Sequence, residues 1–225
     1  MGRPKQFIEL LGHPALYHTL HAFEESPEIS RIYTVGDCER IRDLAAESNI
    51  SKYAGCAPPG SCRPFSTRNG LALCGEDPET LVLIHDGSRC LVTPDLVSRV
   101  VGAMEGNADG AVPALPVSDT IKVARGGIVH ETLDRSTLHA VQTPQAFRLG
   151  LLREIFSSPE EDILDATDDA SLVERSGGRV ALVPGEKTNI KLTSPEDLTL
   201  AEAILLARSN VQNGEDRAMK RQVRS

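Results

Sequence analysis

One unbroken apolar run constrains the fold of this chain more than any other feature. Residues 81–84 are Leu-Val-Leu-Ile, and His85-Asp86-Gly87-Ser88-Arg89 follow directly. A short apolar run of this kind predicts a strand buried on both faces, as in parallel sheets that helices cover. Asp86 would then lie at the carboxyl end of that strand, which is the edge where open α/β sheets bind ligands.

The helix predicted after this run bears on how Asp86 is interpreted. Thr93-Pro94-Asp95 supplies an N-cap, a first-turn proline and an acidic first turn. The stripe that such a helix would bury consists of Leu96, Val97, Val100, Val101 and Met104. The helix is therefore capped without Asp86. For Asp86 and Arg89, a structural role and a functional role both stay open.

Strand-like and helix-like patterns alternate along the rest of the chain. Helices are predicted at 14–25, 39–48, 66–74, 95–104, 149–156, 168–176 and 195–208, and strands at 31–35, 80–85 and 179–183, with a strand or turn at 188–192. Segment 110–147 is rich in Val, Thr and Ile, which predicts strands and a protruding hairpin with its turn at Arg125-Gly126-Gly127. The pattern favours one α/β domain over 1–208 with a β-arm at about 115–147, then a disordered basic tail over 209–225.

Composition argues against several classes of function. The formal net charge of -8 disfavours a general nucleic-acid binder. No apolar stretch approaches the roughly 20 residues that span a bilayer, and no signal-peptide pattern is present, so we expect a cytoplasmic protein without a membrane partner. The five cysteines are odd in number and lack C-x-x-C spacing. They predict reduced thiols, with no disulfide framework and no metal site built from protein ligands.

Several polar motifs are spread along the chain, and each alone has an ordinary structural explanation. In order they are Pro4-Lys5-Gln6-Phe7, His85-Asp86-Gly87-Ser88-Arg89, Asp119-Thr120-Ile121-Lys122, Leu133-Asp134-Arg135, Gln142-Thr143-Pro144-Gln145-Ala146-Phe147, Thr167-Asp168-Asp169-Ala170 and Asn189-Ile190-Lys191. A lysine is usually solvated, and Asp-Asp pairs commonly cap helices. The order and spacing of all seven motifs are far more specific than any one of them.

Together these motifs resemble the 2-C-methyl-D-erythritol 4-phosphate cytidylyltransferases of the non-mevalonate isoprenoid pathway, from Pro4 to about Leu206. The resemblance implies a Rossmann-like nucleotidyltransferase fold with a mostly parallel sheet flanked by helices. It implies that a sugar-alcohol phosphate attacks the α-phosphorus of CTP, with Mg²⁺ as the cofactor and pyrophosphate as the leaving group. Charge builds on phosphoryl oxygens in such a reaction, so the protein mainly positions groups and supplies cations.

The resemblance also implies a role for each matching residue. Lys5 would stabilise the charged transition state, while Arg135 and Lys191 would hold and aim the attacking phosphate. Thr120, Thr143 and Thr167 would hydrogen-bond the same substrate, with Asp86 and Arg89 beside the ribose and the sugar phosphate. Gly60, Ser66 and Gly87 would contact the nucleotide, with Arg63 nearby.

A homodimer is implied as well. In this family the arm pairs with the same arm of a second subunit and delivers residues such as Thr120 and Arg135 to the neighbour's site. The long β-rich segment has little core of its own, and such an element needs a partner.

The chain departs from the family pattern in two places. Family members begin with a hydrophobic strand and a glycine-rich loop around the triphosphate, whereas this sequence starts Met1-Gly2-Arg3-Pro4, so an unfilled slot in the sheet is expected. Pro58 and Pro59 also alter the cytidine loop. Two alternatives therefore stay open: a ribitol 5-phosphate cytidylyltransferase, and a non-catalytic paralogue that lacks the triphosphate loop.

Overall fold

The computed structural model of the protein describes residues 5–222, with side chains described as far as residue 210. The strands are β1 (Glu9–Leu10), β2 (His13–Pro14), β3 (Ile32–Val35), β4 (Tyr53–Ala57), β5 (Leu81–Ile84), β6 (Gly110–Pro116), β7 (Lys122–Arg125), β8 (Ile128–Thr132), β9 (His139–Val141), β10 (Gln145–Arg148) and β11 (Val180–Pro184). The helices are α1 (Ala15–Glu25), α2 (Cys38–Glu47), α3 (Arg63–Leu71), α4 (Pro94–Gly102), α5 (Leu149–Phe156), α6 (Glu160–Leu164), α7 (Asp169–Arg175) and α8 (Pro195–Gln222). Short 3-10 turns lie at Lys5–Phe7, Ala103–Glu105 and Arg135–Thr137.

The main sheet has the strand order β11-β6-β10-β5, and β9 pairs with the far end of β6. β11 runs parallel to β6, whereas β10 runs antiparallel to both β6 and β5. The α/β class is confirmed, but the sheet is mixed rather than mostly parallel. The reason is the arm, because the chain leaves β6 through it and returns along β10 in the opposite direction.

Strand β5 lies between two helical layers, as its sequence predicts. Leu83 packs with the core of α1, α2 and α4, whereas Val82 and Ile84 pack with the core of α5 and α7. This alternation follows from the two-residue period of a strand. It places the carboxyl end of β5, and Asp86 with it, at the edge of the sheet.

The sheet is interrupted between β3 and β5. Parallel strands β3 and β4 form a separate pair, and a cavity of about 950 Å³ lies between the residues of β3 and those of β5. Within residues 5–222, β3 has only β4 as a strand partner and β5 has only β10. The gap matches the expected slot and leaves all four β5 residues half-buried, less than the sequence predicts.

Capping residues in the sequence mark the starts of α4 and α7. Thr93 Oγ1 accepts a hydrogen bond from the Leu96 amide at 3.1 Å, so α4 begins at the predicted cap. Asp168 caps α7 by accepting from the Ser171 amide at 3.0 Å. Each cap satisfies a backbone donor that the first turn of a helix leaves unpaired.

The arm is an exposed antiparallel hairpin. β7 and β8 pair across Gly126 and Gly127, whose φ angles of 56° and 80° require the left-handed region, so the predicted turn is confirmed. Every residue of β8 is exposed, including Ile128 at 69% and Val129 at 56%. The arm therefore presents apolar side chains that no part of the described chain covers.

One expectation about the cysteines is wrong. Cys38 and Cys56 form a disulfide, with their Cα atoms 5.4 Å apart. Parallel pairing of β3 and β4 explains the contact, because it brings the start of α2 beside the end of β4. Sequence spacing could not show this, since β4 lacks a strand-like pattern.

The last helix is longer than predicted. Its backbone continues to Gln222 rather than ending near residue 208. Side chains beyond residue 210, which include all the basic side chains of the tail, lie outside the described residues. Among the helices that are described, none combines the length and the apolar character needed to cross a bilayer.

Candidate active site

Asp86 occupies the predicted position, in a tight turn directly after β5. The Arg89 amide donates to the Asp86 carbonyl at 2.9 Å, which closes the turn. The Asp86 amide donates to Thr143 Oγ1 at 3.1 Å. The turn is thus anchored to the segment just before β10, and its orientation does not depend on a ligand.

Three cations surround the Asp86 carboxylate. Lys191 Nζ lies 2.8 Å from Oδ2, Arg63 Nε lies 3.5 Å from Oδ1, and Arg89 Nε lies 3.9 Å from Oδ2. Burial alone would raise the pKa of Asp86, but the hydrogen bond and charge of Lys191, together with Arg63, lower it below its usual value. Asp86 is therefore ionised at neutral pH.

The cluster carries excess positive charge. Arg63 also contacts the buried Asp169, so three cations face two carboxylates, which leaves one positive charge in excess. Lys191 has 45% of its side chain exposed and can reach an incoming group. A partly open cationic cluster at the carboxyl end of a sheet strand is suited to bind phosphate.

Buried amide side chains hold the Lys191 loop in place. Gln142 Nε2 donates to the carbonyls of Glu186 and Asn189 at 2.8 and 3.3 Å, and its Oε1 accepts from the Glu186 amide at 3.1 Å. Asn189 Nδ2 donates to the Thr143 carbonyl at 2.9 Å. Arg89 Nη1 donates to the Asn189 carbonyl at 2.9 Å. These contacts fix Lys191 relative to Asp86 although the two are far apart in sequence.

Thr143 and His85 hold the Asp86 turn through hydrogen bonds. The Thr143 hydroxyl accepts from the Asp86 amide and lies 3.0 Å from His85 Nδ1, while His85 Nε2 lies 3.0 Å from the Arg89 carbonyl. Because a carbonyl can only accept, Nε2 carries the proton and Nδ1 accepts from Thr143. Burial lowers the pKa of His85 to about 4, so the ring is neutral. Thr143 is buried with its hydroxyl engaged, a placement that favours positioning of the Asp86 turn.

Of the three predicted nucleotide residues, Gly60 lies just before α3 and Ser66 lies within it, whereas Gly87 directly follows Asp86. The Gly60 amide donates to Ser66 Oγ at 3.0 Å, and Ser66 Oγ donates to the Cys62 carbonyl at 3.1 Å. A Cβ at Gly60 would lie 2.5 Å from Phe65 Cβ, so only glycine fits there. Ser66 is therefore placed to shape the loop.

One cavity connects the two sides of the site. Lys5, Arg63, Ser66, Asp86 and Gly87 all line the cavity between β3 and β5. Lys5 Nζ donates to the Thr193 carbonyl at 3.3 Å, which ties it to the start of α8. The structure therefore brings these five residues together from three separate parts of the sequence.

Three predicted residues stand apart from this cluster. Thr120 and Arg135 are exposed on the arm, where Arg135 Nη1 donates to the Ser118 carbonyl at 2.7 Å. Neither makes a hydrogen bond or ion pair with Asp86 or Lys191 within the described residues. Thr167 is exposed just before the cap of α7.

Sequence reasoning assigned no role to Asp169 or Gln145. Gln145 Nε2 donates to Asp168 Oδ2 at 2.8 Å, and its Oε1 accepts from the Ala170 amide at 3.1 Å. Both residues lie inside the quoted motifs, but contacts between distant segments leave no local pattern. The signal that the sequence offered was that each of these polar residues stands next to apolar ones.

Comparison with known proteins identifies the relatives of this chain. The family model described as IspD, 2-C-methyl-D-erythritol 4-phosphate cytidylyltransferase, matches residues 1–207. A protein of that name from Rubrobacter xylanophilus is 71% identical over 208 residues, which cover 92% of this chain and 90% of the relative. Another from Geobacillus kaustophilus is 46% identical over 211 residues, which cover 92% of this chain and 91% of that relative.

Solved structures agree with these matches. The crystal structure of 2-C-methyl-D-erythritol 4-phosphate cytidylyltransferase from Thermus thermophilus superposes with a TM-score of 0.75 at 37% identity, covering 91% of this chain and 94% of the other. A crystal structure of 4-diphosphocytidyl-2C-methyl-D-erythritol synthase gives a TM-score of 0.78 at 30% identity. The match covers 90% of this chain and 95% of the other.

Proposed function

Because the chain belongs to the 2-C-methyl-D-erythritol 4-phosphate cytidylyltransferase family, we propose that it joins CTP to 2-C-methyl-D-erythritol 4-phosphate. The products are 4-diphosphocytidyl-2-C-methyl-D-erythritol and pyrophosphate, an isoprenoid precursor step. The observation that carries the proposal is the cationic cluster of Lys191, Arg63 and Arg89 around Asp86 at the carboxyl end of β5. The names of the relatives favour this substrate over ribitol 5-phosphate and favour an enzyme over a non-catalytic paralogue.

The proposed reaction is an in-line displacement at the α-phosphorus of CTP. An oxygen of the substrate phosphate forms the new P–O bond while the bond to pyrophosphate breaks, and pyrophosphate leaves with that electron pair. The attacking phosphate is already ionised, so it needs no general base. This agrees with the neutral, hydrogen-bonded His85.

Positioning and charge stabilisation fall to the cations. Lys191 would hold the attacking phosphate, since its ammonium is exposed and its loop is fixed by Gln142 and Asn189. Lys5, which lines the cavity, would stabilise charge on the nucleotide phosphates. Preorganised charges of this kind act where the transition state accumulates negative charge.

The remaining predicted residues would complete the substrate sites. Asp86 would lie beside the ribose, and Gly87 would let the backbone approach the nucleotide. Gly60 and the Ser66 loop would contact the cytidine base. Arg89 and Thr143 would act by fixing the Asp86 turn, and Thr167 would hydrogen-bond the sugar phosphate from the start of α7.

Mg²⁺ fits this site as a partner of the nucleotide. Within residues 5–222, no three or more His, Cys, Asp or Glu side chains form a metal-binding group. Mg²⁺ is typically held by one or two carboxylates together with substrate phosphates, so a protein cage is not required. Asp86 already pairs with Lys191, Arg63 and Arg89, so the phosphates of CTP would supply most of the oxygen ligands of the ion. The ion would neutralise charge on the triphosphate.

We propose that the active form is a homodimer joined through the arm. The exposed apolar residues of β8 support this, because they lack a partner in the described chain. Arg135 and Thr120 lie on the arm and outside the Asp86 cluster, so they would serve the site of the partner subunit. A cytoplasmic location stays a prediction.

The test is release of pyrophosphate by the 225-residue chain with CTP, Mg²⁺ and 2-C-methyl-D-erythritol 4-phosphate. Ribitol 5-phosphate runs in parallel as the competing substrate. Release with the first substrate at a higher kcat/KM supports the proposal. Release only with ribitol 5-phosphate, or none with either, contradicts it.

A further inference from the structure

Arg63 is held between two carboxylates that come from different parts of the fold. It is the first residue of α3, and its Nη2 lies 2.8 Å from Asp169 Oδ2 at the start of α7. Its Nε lies 3.5 Å from Asp86 Oδ1 after β5. One guanidinium therefore joins the cytidine loop, the Thr167 segment and the Asp86 turn.

Asp169 is the buried member of this arrangement. Its side chain is 1% exposed, and the Arg63 guanidinium is its charged partner. The Arg63 contact is close but lacks hydrogen-bond alignment at Oδ2. Burial raises the pKa of Asp169 despite the charge of Arg63. Keeping the Asp169 carboxylate in the interior therefore costs free energy.

A fully buried ion pair adds little stability over an apolar pair of the same shape. The Arg63–Asp169 pair is not fully buried, because 34% of the Arg63 side chain is exposed and lines the same cavity as Asp86. Asp169 therefore fixes the orientation of a cation that remains partly open. An orienting role explains both the burial of Asp169 and the exposure of Arg63.

We propose that Asp169 is a positioning residue that acts through Arg63 on the Asp86–Lys191 pair. By holding Nη2, Asp169 keeps Arg63 on the Oδ1 side of Asp86 and leaves Oδ2 to Lys191. Without Asp169, Arg63 is free to move towards Asp86 and compete with Lys191 for its carboxylate. The same contact holds the cytidine loop against the Thr167 segment. This inference deepens the proposed function and rests on it.

The kinetic test is the substitution Asp169→Asn, which removes the charge and keeps the shape. We expect Asp169→Asn to lower kcat about tenfold. The double variant Asp169→Asn with Arg63→Gln should be no slower than the slower single variant, because the effects of substitutions at coupled residues do not add. Kinetics are measured well below the melting temperature of each variant. A merely structural role would lower that temperature and leave kcat unchanged, which would overturn the proposal.

Two further variants keep this test sharp. Arg63→Lys retains the charge but cannot span two carboxylates, so it should reproduce the loss if Asp169→Asn fails to fold. Glu79→Gln removes the charge from the exposed ion pair with Arg148 and is the matched control, with kcat expected to stay within twofold of wild type. Full activity of Arg63→Lys would contradict the proposal.

A second measurement does not depend on turnover. Asp169→Asn and Asp86→Asn are combined in a double-mutant cycle of unfolding by urea. We expect non-additivity of at least about twofold in the folding equilibrium constant, and its disappearance in an Arg63→Gln background. If wild type shows no turnover, the proposed function fails while this cycle still decides the inference. Additive effects with Arg63 present would overturn it.

Discussion

Lys191 makes the shortest cationic contact to the site carboxylate, at 2.8 Å, and it is nevertheless exposed. We expect Lys191→Ala to lower turnover by about a hundredfold or more, equivalent to about 3 kcal/mol of transition-state stabilisation. The physical reason is the loss of a preorganised charge beside the attacking phosphate. Steady-state kinetics with both substrates measures it.

Lys187 offers a control in the same loop, because it is exposed and makes no hydrogen bond or ion pair to a described residue. Lys187→Ala should leave kcat and KM unchanged. Equal losses for the two variants would mean that net charge, and not the placement of Lys191, is what the reaction needs.

His85 should make stability depend on pH. Burial lowers its pKa from 6.5 to about 4, so between these values the unfolded chain binds a proton that the folded chain does not. The contribution of His85 to stability therefore rises with pH in this window, and His85 alone should lower the free energy of unfolding by about 3 kcal/mol from pH 6.5 to 4. Urea unfolding at a series of pH values measures the slope.

His85→Gln keeps a donor for the Arg89 carbonyl but cannot titrate. In this variant the slope should become shallower, although not flat, because burial also lowers the pKa of His18. An unchanged slope would show that His85 does not control it.

Single residues were predicted best where a motif fixes them locally. Asp86, Arg89 and Lys191 do come together, and so does Lys5 at the cavity. The supporting contacts were not predictable, since Asp169 reaches Arg63 and Gln142 reaches Asn189 only through the tertiary fold.

At the scale of elements, strong local signals gave α4, α5 and the arm hairpin with bounds close to those observed. β4 was missed because its residues, Tyr-Ala-Gly-Cys-Ala, include no β-branched side chain. Its strand conformation comes from pairing with β3, which is a non-local contact. The antiparallel course of β10 was missed for a related reason, because strand direction is set by the path of the arm.

The interrupted sheet predicts an alternating pattern of hydrogen exchange. In antiparallel pairing, successive amides of a strand point to opposite sides. Every second amide of β5 should therefore be protected by β10, and those between should face the cavity and exchange fast. Exchange followed by NMR resolves the individual amides.

β6 is the internal control, because it has β11 on one side and β10 and β9 on the other. Its amides should be protected without alternation. Uniform protection along β5 would show that the edge facing the cavity is covered in solution.

At the scale of the whole molecule, the dimer proposal divides the site between two structural units. Lys191 and Asp86 belong to the α/β body, whereas Arg135 belongs to an arm with exposed Ile128 and Val129. An arm that buries these residues against a second arm would carry Arg135 to the partner's site. The dimer proposal therefore predicts that two inactive variants can restore one another.

Lys191→Ala and Arg135→Ala should each have very low turnover alone. In a mixed dimer, the chain with intact Lys191 receives intact Arg135 from its partner, so one of the two sites is complete. Equal amounts with random pairing should give about a quarter of wild-type turnover, because half of the dimers are mixed and each has one working site. Co-refolding of the two variants, with each variant refolded alone as the control, measures the recovery. If Arg135 acted within its own chain, the Lys191 and Arg135 defects would stay in separate sites and mixing would restore nothing.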